Sequence, residues 1–158
     1  MLRIDDQRGF LVSRMRRPYL LISGAWLLHA VAWFLPVIKG CVSIPRGLPG
    51  LEALCMSFGE WPWPYSVLGP LSAVTTIVFI VGSPWIVLRG SRSVWRASAW
   101  ATAVTFIVNA HWLTLFDSEK AGLRIGYFLW WLSFSLLAVG LFDLARQNMV
   151  VESKERVA

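Results

Sequence analysis

The stretch that decides the fold is VLGPLSAVTTIVFIVGSPWIVL, residues 67–88, which contains no charged side chain and no histidine. About 20 consecutive apolar residues suffice for a helix to cross the roughly 30 Å of hydrocarbon in a bilayer. Three further stretches of similar length are equally free of charge: 19–38, 97–116 and 125–142. Because a bilayer offers no water to the backbone, such segments are expected to be helical. The sequence therefore predicts an all-α fold, a single bundle of four transmembrane helices over residues 1–158.

The composition agrees with a membrane protein and excludes several other classes. Of the 158 residues, 56% are hydrophobic and only 15% are charged. A soluble domain would have about a quarter of its residues charged. This composition excludes a disordered chain, a nucleic-acid-binding module and an ordinary cytosolic enzyme.

The basic residues are divided unevenly between the predicted loops, and this division predicts the orientation. The N-terminal segment, the connection 89–96 and the C-terminal tail hold eleven of the 15, and the loops 39–66 and 117–124 hold four. Since positive charge is retained on the cytoplasmic side, both termini are expected to be cytoplasmic in a plasma (inner) membrane, with 39–66 as an outer loop. The net charge of +6 then reflects topology and contact with anionic lipid headgroups, for which the candidates are Arg14, Arg16, Arg17, Arg89, Arg92 and Arg96.

The two cysteines, Cys41 and Cys55, both fall in the predicted outer loop. In an oxidising compartment such a pair readily forms a disulfide bond, so a structural bridge is predicted. Quinone-linked enzymes that make disulfides need a vicinal redox pair and a second pair, and this chain has neither.

Three aromatic residues near the end of the outer loop, Trp61, Trp63 and Tyr65, alternate with two prolines. The prolines disfavour a regular helix there, and aromatic rings sit well at the headgroup level of a membrane. The segment is predicted to be an interfacial cap before the second span. A surface for an outer ligand or partner is the alternative.

Polar side chains within the predicted spans are few, and His29, Asn109 and His111 are the most prominent. Such residues are costly in lipid and usually face the bundle interior or a wet cavity. A shared intramembrane polar site is one hypothesis, and simple packing, with Asn109 bonded to His29 or Ser23, is the other. The depths of the two histidines differ too much for one haem, so no cofactor and no metal site are predicted.

Small residues in spans two and three predict where these helices pack together, because small side chains allow close backbone approach in lipid. In span three they recur four apart, as Ala97/Ala101, Ser98/Thr102 and Ala99/Ala103. The matching face of span two is predicted to consist of Gly69, Ser72, Thr76 and Ser83.

The segments GYFLWWLSF (126–134), WFLPV (33–37) and GLEA (50–53) resemble parts of small bacterial membrane proteins with four helices. The resemblance covers about a third of the chain. It implies a bacterial membrane protein and no particular activity.

No catalytic set is visible, since the predicted spans hold no carboxylate and the chain has only two histidines. We therefore expect a non-catalytic accessory subunit or partner-binding protein of a membrane complex, in contact with the lipid bilayer and with a protein partner or further copies of itself. One alternative is a small, possibly oligomeric transporter or channel that uses Asn109 and His111. Another is an immunity-type protein against a pore-forming toxin.

Overall fold

The computed structural model describes residues 4–38, 48–59, 63–115 and 122–155. The side chains of 4–15, 56, 65, 115 and 148–155 lie outside this description. Most described residues are helical, which confirms the predicted all-α class. The elements in chain order are α1 (Ile4–Phe34), β1 (Pro36–Ile38), β2 (Leu48–Pro49), α2 (Gly50–Met56), α3 (Tyr65–Arg89), α4 (Arg92–Asn109), α5 (His111–Leu115) and α6 (Ile125–Glu155).

Among the described residues, two helical segments are long and apolar enough to cross a membrane, Ser66–Arg89 in α3 and Ile125–Gln147 in α6. They agree with the predicted spans 67–88 and 125–142. The first predicted span is shorter than expected as a helix, because α1 ends at Phe34. A proline disfavours helical geometry in the residue before it, and here Pro36 begins the strand β1.

The third predicted span, 97–116, is not one continuous helix, because α4 ends at Asn109 and the short helix α5 follows. The carbonyl oxygen of Asn109 accepts a hydrogen bond from the hydroxyl of Tyr127 in α6, at 2.9 Å. The backbone N–H of Leu113 donates instead to Ala110, at 3.0 Å. A contact with α6 thus accompanies the break in the helix.

Helix α6 packs against α1 and α4. Its face towards α1 has small residues seven apart: Gly126, Ser133 and Gly140. A Cβ added at Gly126 would stand 2.8 Å from the carbonyl oxygens of Leu35 and Pro36. One added at Gly140 would stand 2.7 Å from Ile22 Cγ1. The two helices therefore approach closely at both ends of their contact.

The two ends of the bundle are built differently. At one end, the capped end, lie β1, β2, α2 and α5; β1 pairs antiparallel with β2, and Ile38 forms an isolated bridge with Leu123. At the other, the turn end, the residues around Gly90 connect α3 to α4, and Arg17 Nε lies 3.2 Å from Asp143 Oδ2. Between them lies an apolar core that includes Ile22, Ala25, Phe79, Ala99, Phe134, Leu137, Leu141 and Leu144.

The predicted small-residue contact between α3 and α4 is partly wrong. Gly69, Ser72, Thr76 and Ser83 of α3 are all buried. Ser72 bonds Asn109 of α4, but Thr76 and Ser83 accept hydrogen bonds from Trp130 of α6 and Trp26 of α1. In α4, Ala99 is fully buried, whereas Ala97 and Ala101 are exposed. The reason is that α4 turns its buried side mainly towards α6.

Candidate functional site

A cavity of about 80 Å³ lies at the capped end, among α1, α2, α3, α5 and α6. Its cover is α2, which comes close to α1 at Gly50, where an added Cβ would stand 2.6 Å from the carbonyl oxygen of Ala32. The lining is mostly apolar, and its aromatic part consists of Trp33, Trp112, Tyr127 and Trp130. Mostly apolar pockets with a few placed polar groups are the usual form of small-molecule sites.

Behind this cavity, a buried hydrogen-bond network surrounds Asn109, whose side chain is fully buried. Its amide oxygen accepts a hydrogen bond from Ser72 Oγ. Its amide nitrogen donates to Thr75 Oγ1 at 3.5 Å. The indole nitrogen of Trp112 donates to Ser72 Oγ at 3.0 Å. We call Ser72, Thr75, Asn109, Trp112 and Tyr127 the Asn109 network; it joins α3, α4, α5 and α6.

Four tryptophan side chains donate hydrogen bonds to α3 from other helices. Their indole nitrogens lie 2.7–3.2 Å from the acceptors in the pairs Trp26–Ser83 Oγ, Trp95–Ile86 O, Trp112–Ser72 Oγ and Trp130–Thr76 Oγ1. A buried indole N–H usually finds an acceptor, and the polar face of α3 supplies three of them as hydroxyl groups. This face therefore acts as the hydrogen-bonding centre of the bundle.

The serine and threonine hydroxyls that line the cavity already donate their protons to acceptors within the protein. Ser57 donates to the carbonyl of Ala53 at 2.9 Å, Thr76 to the carbonyl of Ser72 at 3.1 Å, and Ser72 to Asn109. Since a hydroxyl has one proton and two lone pairs, these three oxygens retain acceptor capacity only. The cavity suits a small apolar group that carries an N–H or O–H donor.

His29 is buried in the middle of the bundle, next to the cavity but with its own partners. Its ring stacks on Phe79, with centroids 4.2 Å apart and planes 12° apart. Its Nδ1 lies 2.9 Å from Ser133 Oγ. Ser133 Oγ donates to the carbonyl of Trp130 at 2.5 Å, so Nδ1 must be the donor to Ser133. In the neutral ring, Nε2 carries the lone pair, and it has no hydrogen-bond partner among the described residues.

His111, the first residue of α5, is bonded locally. Its Nδ1 lies 2.8 Å from the carbonyl oxygen of Val108. Its ring lies 4.7 Å from that of Trp112, centroid to centroid. Among the described residues, Asn109 is hydrogen-bonded to neither histidine, and His111 contacts the Asn109 network through the ring of Trp112. Asn109 is hydrogen-bonded to Ser72 and Thr75, whereas the sequence predicted His29 or Ser23 as its partner.

The predicted disulfide and outer aromatic surface fall only partly within the described residues. Cys55, in α2, is an exposed free cysteine, and no disulfide bond is present among the described residues. Cys41 and Trp61 lie outside them, so the bridge stays a prediction. Trp63 is 79% exposed, and Tyr65 begins α3, although its side chain lies outside the description.

The predicted headgroup contacts lie on both sides of the turn end. Arg16 and Arg17 are exposed on α1, and Arg14 lies in the same helix with its side chain outside the description. Arg89, at the end of α3, places its guanidinium 4.5 Å from the ring centroid of Trp85. Arg92 begins α4, and Arg96 follows one turn later.

Within the described part of the chain, no three His, Cys, Asp or Glu side chains are grouped so that they could hold a metal ion. No protein-family model, curated protein or solved structure matches the chain. The site is therefore interpreted from its own geometry.

Sequence reasoning did not single out Trp112 and Tyr127 of the Asn109 network, or Trp130, which donates to Thr76. Tyr127 is buried in the structure, with only 4% of its surface exposed. A usable signal was present: a span with many indole and phenol donors needs acceptors nearby. The hydroxyl residues of α3 were the available candidates.

Proposed function

We propose that the protein is a non-catalytic, four-span integral membrane protein of a bacterial plasma membrane, which acts as an accessory subunit and binds a protein partner at its capped end. The observation that carries the membrane assignment is the apolar surface of the long helices. The described interior is mainly apolar with a few hydrogen-bonded Ser, Thr, Asn and His side chains, and large apolar side chains are exposed as well. Helices of soluble proteins normally carry charged and polar residues on their exposed faces.

All four long helices expose apolar side chains, including α1 and α4, whose uninterrupted apolar segments are shorter than those of α3 and α6. Large exposed apolar surfaces mark contact with lipid or protein. The following side chains are between 43% and 85% exposed: Leu20, Leu27 and Phe34 in α1; Val78, Val81 and Leu88 in α3; Trp100, Val104 and Ile107 in α4; Phe128, Leu132 and Val139 in α6. This exposed apolar surface supports four membrane spans. In two of them a second element completes the crossing: β1 follows α1, and α5 follows α4.

The orientation in this proposal places the turn end in the cytoplasm and the capped end outside. Its support is the ratio of eleven basic residues to four between the two sets of loops, because retained positive charge marks the cytoplasmic side. Arg17, Arg89 and Arg92 all belong to the turn end.

The partner-binding role rests on the capped end. Here Leu51, Phe58 and Trp63 are exposed by 51%, 55% and 79%. Exposed aromatic side chains such as Phe58 and Trp63 are typical anchors of protein interfaces. Beneath them lies the cavity with its acceptor oxygens. A Cys41–Cys55 bridge would fix the loop that carries this surface.

A transporter or channel receives less support from the packing. Between the cavity and the turn end, the centre of the bundle is filled by Phe79, Phe134, Leu137 and Leu141, each at most 3% exposed. An aqueous path through the described residues would have to displace these side chains. Solute flux in liposomes, compared between the wild type and His111→Ala, tests the alternative directly.

The membrane topology can be tested with cysteine labelling in intact cells. Cys41→Ser leaves Cys55 as the single thiol at the capped end. A matched variant, Cys41→Ser/Cys55→Ser/Ser93→Cys, has its single thiol near the turn. We expect a membrane-impermeant maleimide to label Cys55 in intact cells and the residue-93 thiol only after permeabilisation. Equal labelling of both, or release of the protein from membranes by alkaline carbonate, would refute the topology.

The partner can be tested by copurification in a mild detergent. We expect a second chain that is lost from Trp63→Ala and Phe58→Ser, both at the capped end, and retained by Val81→Ala, which changes an exposed residue in the middle of α3. A lone monomer in every preparation would remove the basis for an accessory role.

A further inference from the structure

A second cavity, of about 170 Å³, lies between α3 and α4, with residues of α6 as its floor. We call it the α3–α4 groove. It opens at the surface of the bundle, where Val78 is 57% exposed and Ala101 is also exposed. Leu137 and Leu141 of α6 form part of the floor. In the proposed membrane, this opening faces the lipid.

The lining of the groove is suited to hydrocarbon. Three of its hydroxyl groups donate within their own helices: Thr75 to the carbonyl of Ser72 at 2.8 Å, Ser83 to that of Phe79 at 2.5 Å, and Thr102 to that of Ser98 at 2.7 Å. These donors are satisfied without a ligand. The remaining lining is largely apolar and includes no charged side chain.

Positive charge lies at the cytoplasmic end of the groove in the proposed orientation. Ile86 lines the groove, and Arg89 follows it by one turn of α3, with its guanidinium held over Trp85. Arg92 and Arg96 lie in the first turns of α4 and add positive charge to this end of the hairpin, but helical periodicity places them on the face of α4 away from Ser98 and Ala101. From residue 61 to residue 116 the sequence contains no Asp or Glu.

The opposite side of the same end is compensated internally, because Asp143 pairs with Arg17. Neither Arg89 nor Arg96 has an acidic partner among the described residues. The hairpin of α3 and α4 therefore carries an excess of positive charge beside an apolar groove. Basic pockets between transmembrane helices on the cytoplasmic side commonly hold anionic headgroups.

We propose that one anionic phospholipid binds here, with its phosphate at Arg89 and an acyl chain in the α3–α4 groove. This inference rests on the proposed membrane location. It adds to that proposal a specific lipid site on one face of the bundle, while the partner surface lies at the capped end.

Native mass spectrometry of the detergent-extracted protein tests the site, with phosphatidylglycerol titrated against phosphatidylcholine. We expect phosphatidylglycerol to bind more tightly, and Arg89→Gln to reduce its affinity about fivefold. Arg16→Gln is the matched control, because it removes an exposed charge from α1 at the same end. We expect this control to retain the affinity of the wild type.

A second pair of variants tests the groove itself. Ala101→Leu places a larger side chain at its opening and should weaken lipid binding, whereas Ala30→Leu enlarges an exposed residue of α1 and should not. Four outcomes would overturn the proposal: equal affinity for the two lipids, equal loss in Arg16→Gln, no effect of Ala101→Leu, or a dimer in place of the lipid adduct. If alkaline carbonate releases the protein from membranes, the membrane proposal itself fails; a membrane-retained protein without lipid preference refutes only the lipid site.

Discussion

The α1–α6 contact and the α3–α4 hairpin differ in how closely their helices pack. Helices α1 and α6 are far apart in the sequence, yet at Gly126 and Gly140 there is no room for a Cβ without displacing atoms of α1 or of the residues after it. Helices α3 and α4 are joined by a short turn, yet a groove of about 170 Å³ separates them over much of their length. The hydrogen bonds between α3 and α4 lie mainly at the two ends of the hairpin.

This difference shows that proximity along the chain does not decide which helices pack most closely. In α6, small residues occur at the heptad spacing of a continuous seam, and such seams let backbones approach. In α4, Ala97 and Ala101 are exposed, and the contact with α3 depends on hydrogen bonds: Trp95 donates to Ile86 near the turn, and Ser72 donates to Asn109 near the capped end.

The largest expected effect comes from breaking the seam with Gly126→Ala. The new Cβ would stand 2.8 Å from two backbone carbonyl oxygens, which cannot move as a side chain can. Overpacking of this kind costs about 1–3 kcal/mol of unfolding free energy. Equilibrium unfolding in mixed micelles, followed by circular dichroism, measures it. Gly82→Ala in α3 is the control, because its Cβ would meet the side-chain atoms Val78 Cγ1 at 3.5 Å and Ile86 Cδ1 at 4.0 Å, both ordinary contacts. Equal losses in the two variants would contradict the close seam.

Next in size is Asn109→Leu, which opens the hairpin at the capped end. It removes the acceptor of Ser72 and the donor to Thr75. We expect a loss of about 1–2 kcal/mol, at the upper end for hydrogen bonds within membranes. The same unfolding measurement applies. Thr114→Val serves as the control, since Thr114 is exposed and, among the described residues, its hydroxyl bonds only to the carbonyl of His111 in its own turn. An equally large loss of unfolding free energy in this control would show that the Asn109 network does not stabilise the hairpin.

A smaller effect is expected for Tyr127→Phe, which removes one hydrogen bond between α6 and the end of α4. The expected cost is about 0.6 kcal/mol. The hydroxyl of Tyr127 donates to the carbonyl of Asn109 at the break in the helix. We therefore expect the rates of backbone amide hydrogen exchange to change mainly at residues 110–115. Unchanged exchange there would show that Tyr127 does not help to define the break.

The smallest effect is expected for Arg17→Gln, which removes the ion pair with Asp143 at the turn end of the seam. The Arg17 side chain is 69% exposed, and exposed ion pairs contribute about 0–1 kcal/mol. The difference between variant and wild type should shrink at high salt, because salt screens exposed charges. Arg16→Gln is the control. A salt-independent loss would indicate that Arg17 acts through packing.

Part of the fold followed from the sequence, because the apolar lengths of α3 and α6 are local properties of the chain. The predicted spans 67–88 and 125–142 agree with the helical segments Ser66–Arg89 and Ile125–Gln147. The end of α1 and the break after Asn109 were not predicted. The first depends on the strand pairing of Pro36–Ile38 with Leu48–Pro49, and the second is accompanied by a bond from Tyr127.

The candidate site was predicted less completely. The sequence singled out Asn109 as an intramembrane polar residue, and the structure places it, fully buried, in a network next to the cavity. Its partners Ser72 and Thr75 could not be selected from several hydroxyl residues at similar depth. The rotation of α3 about its axis decides which of them faces α4, and that rotation depends on contacts with four other helices.

By itself, the sequence determined that the chain is helical and where charge is absent, because helix formation and apolar length depend on neighbouring residues. Only the tertiary structure decided that Gly126, Ser133 and Gly140 form the close seam and that His29 bonds Ser133. These are contacts between distant segments, 104 residues apart for His29 and Ser133. The physical reason is that a buried polar group needs a partner in space, and many hydroxyl and small residues in this chain could have supplied one.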